Sequence, residues 1–331
     1  MQIDFSHKQS AHCENGVVSN LMRHKGFEVS EPMVFGIGSG LLFSYLPFLK
    51  VNYAPVFTYR AMPGSIFKRF AKRVGVTMKK EKFSDPKTAK AKLDENLEKN
   101  NPVGLQVGVY NLPYFPEEYR FHFNAHNMVV YGKKGNTYLI SDPVMETVTT
   151  ITDKELEKVR FAKGAFAPKG HMYYPIEFPK TLALEKAIVK GIKQTCRDMT
   201  APMPLVGVKA IRWVSRNIRK WPNTLGTKKA NHYLGQIVRM QEEIGTGGGG
   251  FRYIYAAFLQ EAGKILKNDG LLKLSKEMTE IGDQWRDFAL EASRIYKNRS
   301  TQTDAYNKVA DQLAALADRE EIFFQTLRKT I

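Results

Sequence analysis

The chain has 331 residues, a hydrophobic fraction of 43% and a formal net charge of +17, so it can bury a sizeable core and is not a disordered polar chain. Its two cysteines are too few for a secreted disulfide framework and favour a reducing compartment. Because no apolar run has the length of a signal-peptide core or a membrane span, we expect a cytoplasmic protein of two domains.

The excess of Lys and Arg predicts an acidic partner, because a basic field raises the rate of encounter with anionic surfaces. The basic residues are scattered, and no zinc finger, RNP motif or long basic tail accompanies them. We therefore do not expect a nucleic acid partner. An acidic protein and an anionic membrane surface both stay open on composition.

The first half of the chain alternates short helical and strand patterns. A helix is predicted from Cys13, because apolar residues recur on one face of the following segment and Gly26 is a typical C-terminal stop. A Gly-rich segment follows at 35–42, and β-prone runs occur at 102–110 and 128–131. This alternation indicates an α+β domain.

The second half of the chain has a helical pattern. From residue 179 onward strand patterns stop, and apolar residues recur at the three- and four-residue spacing of helices. The Pro-rich segment 174–179 separates the two regions, because proline continues neither a helix nor a central strand. We predict a catalytic domain at 1–178 and an all-helical domain for substrate or partner binding at 179–331.

Cys13 lies at the N-terminus of the first predicted helix. Unpaired backbone N–H groups and the helix dipole stabilise a thiolate at such a position, and the thiolate is the nucleophilic form of cysteine. A small buried core residue is the alternative for any single cysteine. Cys196 lies on a predicted helix without a nearby histidine and is interpreted as structural.

A predicted hairpin supplies the base and the acid that a thiolate needs for acyl transfer. Two β-prone runs flank a turn at Gly135, and a hairpin centred near Lys134 pairs His126 with Asp142 on adjacent strands. A bulge at Gly135 would shift this register by one residue. Without Cys13, the other two would be interpreted as ordinary strand and turn residues. Together they predict a catalytic triad.

Several segments resemble the butirosin-biosynthesis acyltransferase family (BtrH-like), whose N-terminal domain has the papain-type fold of the bacteriocin-leader peptidases. The segments that carry the resemblance are His12-Cys13, 30–41, Leu112-Pro113-Tyr114, His126 with 141–143, and, in the second half, 247–252 and 255–262. The resemblance covers nearly the whole chain. It implies an α+β fold in which a papain-like, cysteine-protease-type N-terminal domain precedes an all-helical C-terminal domain.

The resemblance also implies a reaction. An acyl group would move from the phosphopantetheine thioester of an acyl carrier protein, through an acyl-cysteine, to an amine or hydroxyl acceptor in a pigment, lipid or other secondary-metabolite pathway. The implied partners are an acidic acyl carrier protein and a small-molecule amine or alcohol; membrane-surface contact is considered for a lipophilic acyl chain. No cofactor is expected.

Two alternatives stay open. A cysteine peptidase, amidase or thioesterase would use the same triad and send water to the acyl-enzyme. A non-catalytic scaffold would keep the fold and bind an acidic partner through its basic surface.

The donor to the oxyanion departs from the papain pattern, which places a glutamine about six residues before the nucleophile. Here Gln9 is four residues before Cys13. The backbone N–H of Cys13 is the first candidate, and Gln9, His12 and His7 are the side-chain candidates.

Glycine-rich segments are predicted to admit a pantetheine arm or an acyl chain, with a structural turn or linker as the equal alternative. The predicted substrate-binding residues are Gly36, Gly38, Gly40, Tyr114, Gly247, Gly248 and Phe251. Segment 245–250 fits a dinucleotide-binding pattern but follows a helix, so no nucleotide site is predicted. His122 and His126 are four residues apart without the glutamate of zinc peptidases, so no metal site is predicted either.

Overall fold

The computed structural model of the chain describes residues 1–51, 53–299 and 304–331. The helices are α1 Cys13–His24, α2 Glu31–Ile37, α3 Ser65–Val74, α4 Pro86–Glu98, α5 Asp153–Arg160, α6 Leu184–Met199, α7 Gly207–Leu225, α8 Thr227–Glu242, α9 Arg252–Leu266, α10 Asp269–Tyr296 and α11 Ala305–Thr330. The strands are β1 Leu41–Val51, β2 Ala54–Arg60, β3 Thr77–Glu81, β4 Val103–Val107, β5 His126–Lys134, β6 Thr137–Ser141, β7 Thr149–Thr152 and β8 Met172–Glu177. None of the helices in the described residues combines the length and apolarity needed to cross a bilayer.

The chain packs as two compact units. Unit 1 comprises residues 1–34 and 67–183, and unit 2 comprises 35–66 and 184–331. The units differ from the predicted division at residue 178, because strands β1 and β2 pack on helices α6, α7 and α8 of the second half. Domain boundaries in the sense of independent folding stay a prediction. The predicted fold class, α+β followed by a helical C-terminal region, is confirmed.

Unit 1 is built on a six-stranded sheet in the order β3-β8-β4-β5-β6-β7, with antiparallel neighbours. Met128 and Val130 of β5 pack in a core with Leu93 of α4 and Leu156 of α5. Helix α1 packs on β4, β5 and β8. Because helices cover the sheet at β5, this strand reads as a continuous apolar run rather than an alternating one.

The predicted hairpin is present as β5 and β6, but its predicted register is wrong. Lys134 pairs with Thr137 across a two-residue turn, in which Gly135 has a φ of 59°. A positive φ at this position is typical of tight hairpin turns, whose twist matches that of the strands. The prediction centred the hairpin on Lys134 and so placed the turn too early in the chain.

A register shift also occurs between Val130 and Gly132, so the irregularity lies within β5 and not at the turn. Beyond it, Val129 pairs with Ser141, where β6 ends. His126 therefore does not lie directly opposite Asp142. Asp142 follows the last residue of β6 and reaches His126 diagonally across the strand end.

Unit 2 surrounds a buried ion pair. Arg252 donates from Nε and Nη2 to the two carboxylate oxygens of Glu320 at 2.8 and 3.0 Å, and Trp285 donates to the same carboxylate at 2.6 Å. Both charged side chains have no exposed surface. Gly250, with a φ of 57°, passes so close to Tyr59 that a Cβ would lie 2.3 Å from its ring. The Gly-rich segment thus allows the chain to turn Arg252 into the core.

Helix α1 approaches the end of the hairpin more closely than a side chain would allow. A Cβ at Gly16 would lie 2.5 Å from Pro143 and 2.7 Å from Ser10. The Ser10 N–H donates to the Pro143 carbonyl at 2.6 Å, which ties the segment before Cys13 to the segment after Asp142. Gly16 therefore sets how near the two segments can lie.

We expect Gly16→Ala to lower the free energy of unfolding by about 1–3 kcal/mol, because steric overpacking exceeds the gain in helix propensity. Gly235→Ala is the matched control, since a Cβ there would make an ordinary 3.5 Å contact with Tyr296. This control should raise stability by up to about 1 kcal/mol. Chemical denaturation followed by circular dichroism measures both changes, and equal stabilisation by the two substitutions would contradict the close approach.

Candidate active site

Cys13 is the first residue of α1 and is buried. His12 before it has extended backbone angles, with φ −126° and ψ 125°, and its side chain makes no capping hydrogen bond to the first turn of the helix. The N–H groups and the positive end of the helix dipole therefore lie at the thiol. This position is the one that the sequence predicts.

The turn into Cys13 is held by Glu31, the first residue of α2. Its carboxylate accepts hydrogen bonds from the backbone N–H groups of His12 at 2.7 Å and Ala11 at 3.0 Å. Burial raises the pKa of Glu31, and these two hydrogen bonds oppose the rise. The prediction did not assign a role to Glu31, although it lies in the segment 30–41 that resembles the BtrH-like family.

His126 and Asp142 are in contact, as the sequence predicts. The distance from His126 Nε2 to Asp142 Oδ2 is 2.7 Å, and both side chains are buried. The Tyr114 hydroxyl donates to the same Oδ2 at 2.9 Å, and the Val144 N–H donates to Oδ1 at 3.2 Å. Asp142 has no exposed surface, so these three donors replace the water that a carboxylate would otherwise bind.

Cys13 is the second group that acts on the His126 ring, through its charge and hydrogen bonding. Since Nε2 faces Asp142, Nδ1 is the ring nitrogen left for the thiol. Burial acts to lower the pKa of His126, but the negative charges of Asp142 and of the Cys13 thiolate, with their hydrogen bonds to the ring, outweigh it and raise the pKa to about 10. The direction of this shift favours the charged form of the ring beside Asp142 and Cys13.

Asn127 is a further polar side chain at the thiol, and the sequence prediction missed it. Its Nδ2 lies 3.8 Å from Cys13 Sγ and also donates to the Ala125 carbonyl at 3.1 Å. The Tyr173 hydroxyl donates to Asn127 Oδ1 at 2.9 Å and so orients the amide with Nδ2 toward the sulfur. Its place next to His126 was a signal, but strand alternation would have assigned it to the opposite face.

The predicted side-chain donors to the oxyanion lie in different environments. Gln9 is exposed, whereas His12 is buried at the helix start. His7 contacts Ser141 Oγ through Nδ1 at 2.8 Å and the Met145 carbonyl through Nε2 at 3.2 Å, so it bridges the residues around Asp142. The oxyanion roles of Gln9 and His12 stay predictions.

The predicted substrate-binding residues are divided between the two units. Tyr114 lies in unit 1, where its hydroxyl contacts Asp142 and also the Met128 sulfur at 3.3 Å. The predicted glycines and Phe251 belong to unit 2, while the triad lies in unit 1. Tyr114 therefore has a positioning contact that the prediction did not include.

The glycines in and just after α2 pack against apolar side chains. A Cβ at Gly36 would lie 2.0 Å from the Phe258 ring, and one at Gly40 would lie 2.3 Å from Phe35. Gly38 is buried in the turn between them. These contacts favour the structural-turn interpretation, and a role in substrate binding stays a prediction.

The glycines of the later segment differ in exposure, since Gly247 is exposed and Gly248 is buried. Phe251 is buried and stacks on Phe35 with ring centroids 5.1 Å apart. Their role in substrate binding also stays a prediction.

The histidine pair considered for a metal is engaged elsewhere. His122 stacks on Tyr110 at 4.1 Å, and His126 binds Asp142. Across residues 1–51, 53–299 and 304–331, no three His, Cys, Asp or Glu side chains are grouped closely enough to hold a metal ion. Cys196 is buried within unit 2, and burial raises the pKa of its thiol to about 12.

The elevated pKa of His126 predicts that the stability of the fold depends on pH. Because its pKa in the folded state exceeds the ordinary 6.5, the charged ring stabilises the fold fully below pH 6.5, and the effect is lost as the pH rises toward 10.

We expect Asp142→Asn to lower the His126 pKa by about 1–3 units, because the substitution removes the carboxylate that raises it.

Imidazole ¹⁵N chemical shifts measure this change directly. His171 serves as the internal control, because burial and the nearby Lys82 and Lys80 lower its pKa to about 4, so it should be neutral at pH 7.5 in both proteins. An unchanged titration of His126 in Asp142→Asn would refute the assigned electrostatic coupling.

Comparisons with known proteins give two family matches and one structural similarity. Residues 12–143 match the family model of butirosin biosynthesis protein H, N-terminal, and residues 154–327 match a domain of unknown function, DUF4872. A solved structure described as a C39-like peptidase from Bacillus anthracis is 11% identical with a TM-score of 0.38, covering 54% of this chain and 100% of that one. A search of curated proteins finds no significant match. The family match and the site fit a cysteine-type enzyme, and the chain belongs to the DUF4872 family, with an N-terminal region that is similar to butirosin biosynthesis protein H.

Proposed function

We propose that the protein is a cysteine-dependent acyltransferase that takes an acyl group from a carrier-protein thioester and transfers it to an amine or hydroxyl acceptor. The observation that carries the proposal is the buried row of Cys13, charged His126 and Asp142. An imidazolium beside a thiolate is the resting state that attacks a thioester without a separate proton-transfer step. The match of residues 12–143 to a biosynthesis protein, rather than to a peptidase, supports transfer as the outcome.

In the first half-reaction, the Cys13 thiolate attacks the thioester carbonyl carbon and a new C–S bond forms. The tetrahedral intermediate then collapses and breaks the bond to the phosphopantetheine sulfur. The His126 imidazolium protonates this leaving thiolate, so the products are acyl-Cys13, a free pantetheine thiol and a neutral His126.

In the second half-reaction, the acceptor attacks acyl-Cys13. Neutral His126 takes the proton from the amine or hydroxyl as its bond to the acyl carbon forms. Collapse of the intermediate expels the Cys13 thiolate and restores the ion pair with charged His126. Asp142 acts in both halves as a positioning residue, because its carboxylate holds the ring through Nε2.

The oxyanion of each intermediate needs donors close to the sulfur. The backbone N–H of Cys13 at the start of α1 is one donor, and Asn127 Nδ2 is the second in this proposal. The oxyanion is the oxygen of the carbonyl carbon that Sγ attacks. In the free protein, Asn127 Nδ2 lies 3.8 Å from Sγ. Its orientation is fixed by Tyr173 before substrate binds, which is how a preorganised donor stabilises a transition state.

The donor substrate follows from charge. Carrier proteins that bear phosphopantetheine thioesters are small and acidic, and a chain with a net charge of +17 attracts them over long range.

We expect the wild-type protein to gain the mass of one acyl group after brief incubation with acyl-pantetheine thioesters, and Cys13→Ala to gain none. Intact-protein mass spectrometry measures the adduct. Cys196→Ala is the matched control, since this buried thiol should not take part and the adduct should persist.

Addition of candidate amine or alcohol acceptors then separates transfer from hydrolysis. Loss of the adduct with formation of an acylated acceptor supports the proposal, whereas loss to water alone would assign a thioesterase, amidase or peptidase. A protein that forms no adduct with a loaded carrier protein, and whose Cys13 reacts slowly with iodoacetamide, would support a non-catalytic scaffold.

Asn127→Ala should slow acylation by roughly 10²–10³-fold, the usual loss when one oxyanion donor is removed. Alkylation of Cys13 by iodoacetamide passes through no oxyanion, so its rate should stay near that of the wild type. Asn96→Ala is the control, because it removes a similarly buried amide that bonds within and just after α4. If the rates of acylation and alkylation fall in parallel, Asn127 stabilises the thiolate and not the oxyanion.

A further inference from the structure

Unit 2 exposes a cluster of large apolar side chains at the end of the β1–β2 hairpin. The exposed fractions are 66% for Phe48, 50% for Leu49, 59% for Val51 and 90% for Tyr53. Four large apolar residues within six positions of the chain are unlike the single exposed apolar residues that soluble surfaces usually carry. We call these four residues the hairpin tip.

The pairing of the two strands explains why the tip is exposed. Leu46 pairs with Val56 and Lys50 pairs with Pro55, so three residues of β1 bulge opposite a single step of β2. Residues 48–51 are all exposed, although successive side chains of a strand point to opposite faces. Both faces of the hairpin end are therefore in solvent, and the tip projects from the unit.

Basic side chains line a cleft beside the tip. An open cleft of about 1180 Å³ lies beside it, and its lining residues are Lys50, Tyr53, Leu225, Gly226, Thr227, Lys228, Lys229, His232 and Tyr233. This lining includes three lysines and no carboxylate. Lys50 Nζ contacts the Tyr233 hydroxyl at 3.3 Å and lies 5.2 Å from the centre of its ring. The lysine side chains thus lie beside the exposed apolar side chains of the tip.

We propose that the hairpin tip docks unit 2 on an anionic membrane surface. Phe48, Leu49, Val51 and Tyr53 would enter the interface between headgroups and acyl chains, and Lys50, Lys228 and Lys229 would contact lipid phosphates. Apolar and aromatic side chains with flanking lysines are the combination that binds peripheral proteins to anionic bilayers. A narrow projection exposed on both faces suits insertion into lipid better than contact with one face of a protein partner. The surface is independent of the proposed acyl transfer.

Flotation with vesicles tests this surface on the full chain. We expect binding to phosphatidylcholine vesicles that contain 30% phosphatidylglycerol at 50 mM NaCl, and much weaker binding to pure phosphatidylcholine. Binding should also weaken at 300 mM NaCl, because salt screens the contacts to headgroups. Equal binding to the two vesicle types, or none to either, would overturn the proposal.

The apolar contribution is tested by Phe48→Ser with Leu49→Ser, which should reduce vesicle binding by about tenfold or more. Leu290→Ser with Ile322→Ser is the matched control, since these residues of unit 2 are 53% and 64% exposed. The control should bind like the wild type. Circular dichroism on all variants verifies that they are folded, as exposed substitutions rarely change stability.

The charge contribution is tested by Lys228→Glu with Lys229→Glu, which should reduce binding by roughly fivefold or more per lysine. Lys273→Glu with Lys276→Glu is the control at the same net charge. Gln241 of α8 bonds to Trp285 and Asn231 bonds to Asn298, so the two helices are antiparallel. The control lysines therefore lie about 30 Å or more along α10 from the start of α8.

Fluorescence quenching measures directly how deeply the hairpin tip enters the bilayer. Tyr53→Trp places a fluorophore at the tip, and phospholipids brominated on the acyl chains should quench it. Absence of quenching with bound vesicles would overturn the proposal. The proposal would also be overturned if the wild type failed to bind vesicles but bound an acidic carrier protein, and if the Lys228→Glu, Lys229→Glu variant lost that binding.

Discussion

The burial of the Asp142 carboxylate is the constraint on which the rest of unit 1 depends. A carboxylate without exposed surface is tolerated only when hydrogen-bond donors replace its water, and here His126, Tyr114 and the Val144 N–H provide them. Each donor lies in a different segment, so satisfying one charge fixes the start of β5, the turn after β6 and the segment that contains Tyr114. The orientation of the imidazole is a consequence of folding.

The same charge determines the chemistry that His126 can support. A buried imidazole would be neutral by itself, and the two anionic partners reverse that preference. Cys13 is brought to the ring by α1, whose approach is permitted by Gly16, and the turn that leads into α1 is held by Glu31. The site is thus assembled from a helix start and two strand ends, elements that hold side chains more rigidly than loops do.

Unit 2 is organised by a different buried charge pair and contributes different surfaces. Arg252 and Glu320 satisfy each other in the helical core, and the Gly-rich segment before Arg252 is a packing device. The β1–β2 hairpin belongs to this unit although it lies in the first half of the chain. A protein that acylates a lipophilic product would benefit from a unit that binds bilayers, which connects the two proposals without making either depend on the other.

The sequence by itself determined the fold class, the placement of Cys13 at a helix start and the proximity of His126 to Asp142 at the end of a hairpin, because these follow from local periodicity, turn residues and a family resemblance. It could not determine the strand register or the partners of the triad. Register depends on the geometry of a two-residue turn and a bulge within β5, and Tyr114, Asn127 and other contacts depend on which distant segments the sheet brings together. Likewise, only tertiary packing placed segment 35–66 with the helices, because its apolar faces are buried against residues far away in sequence.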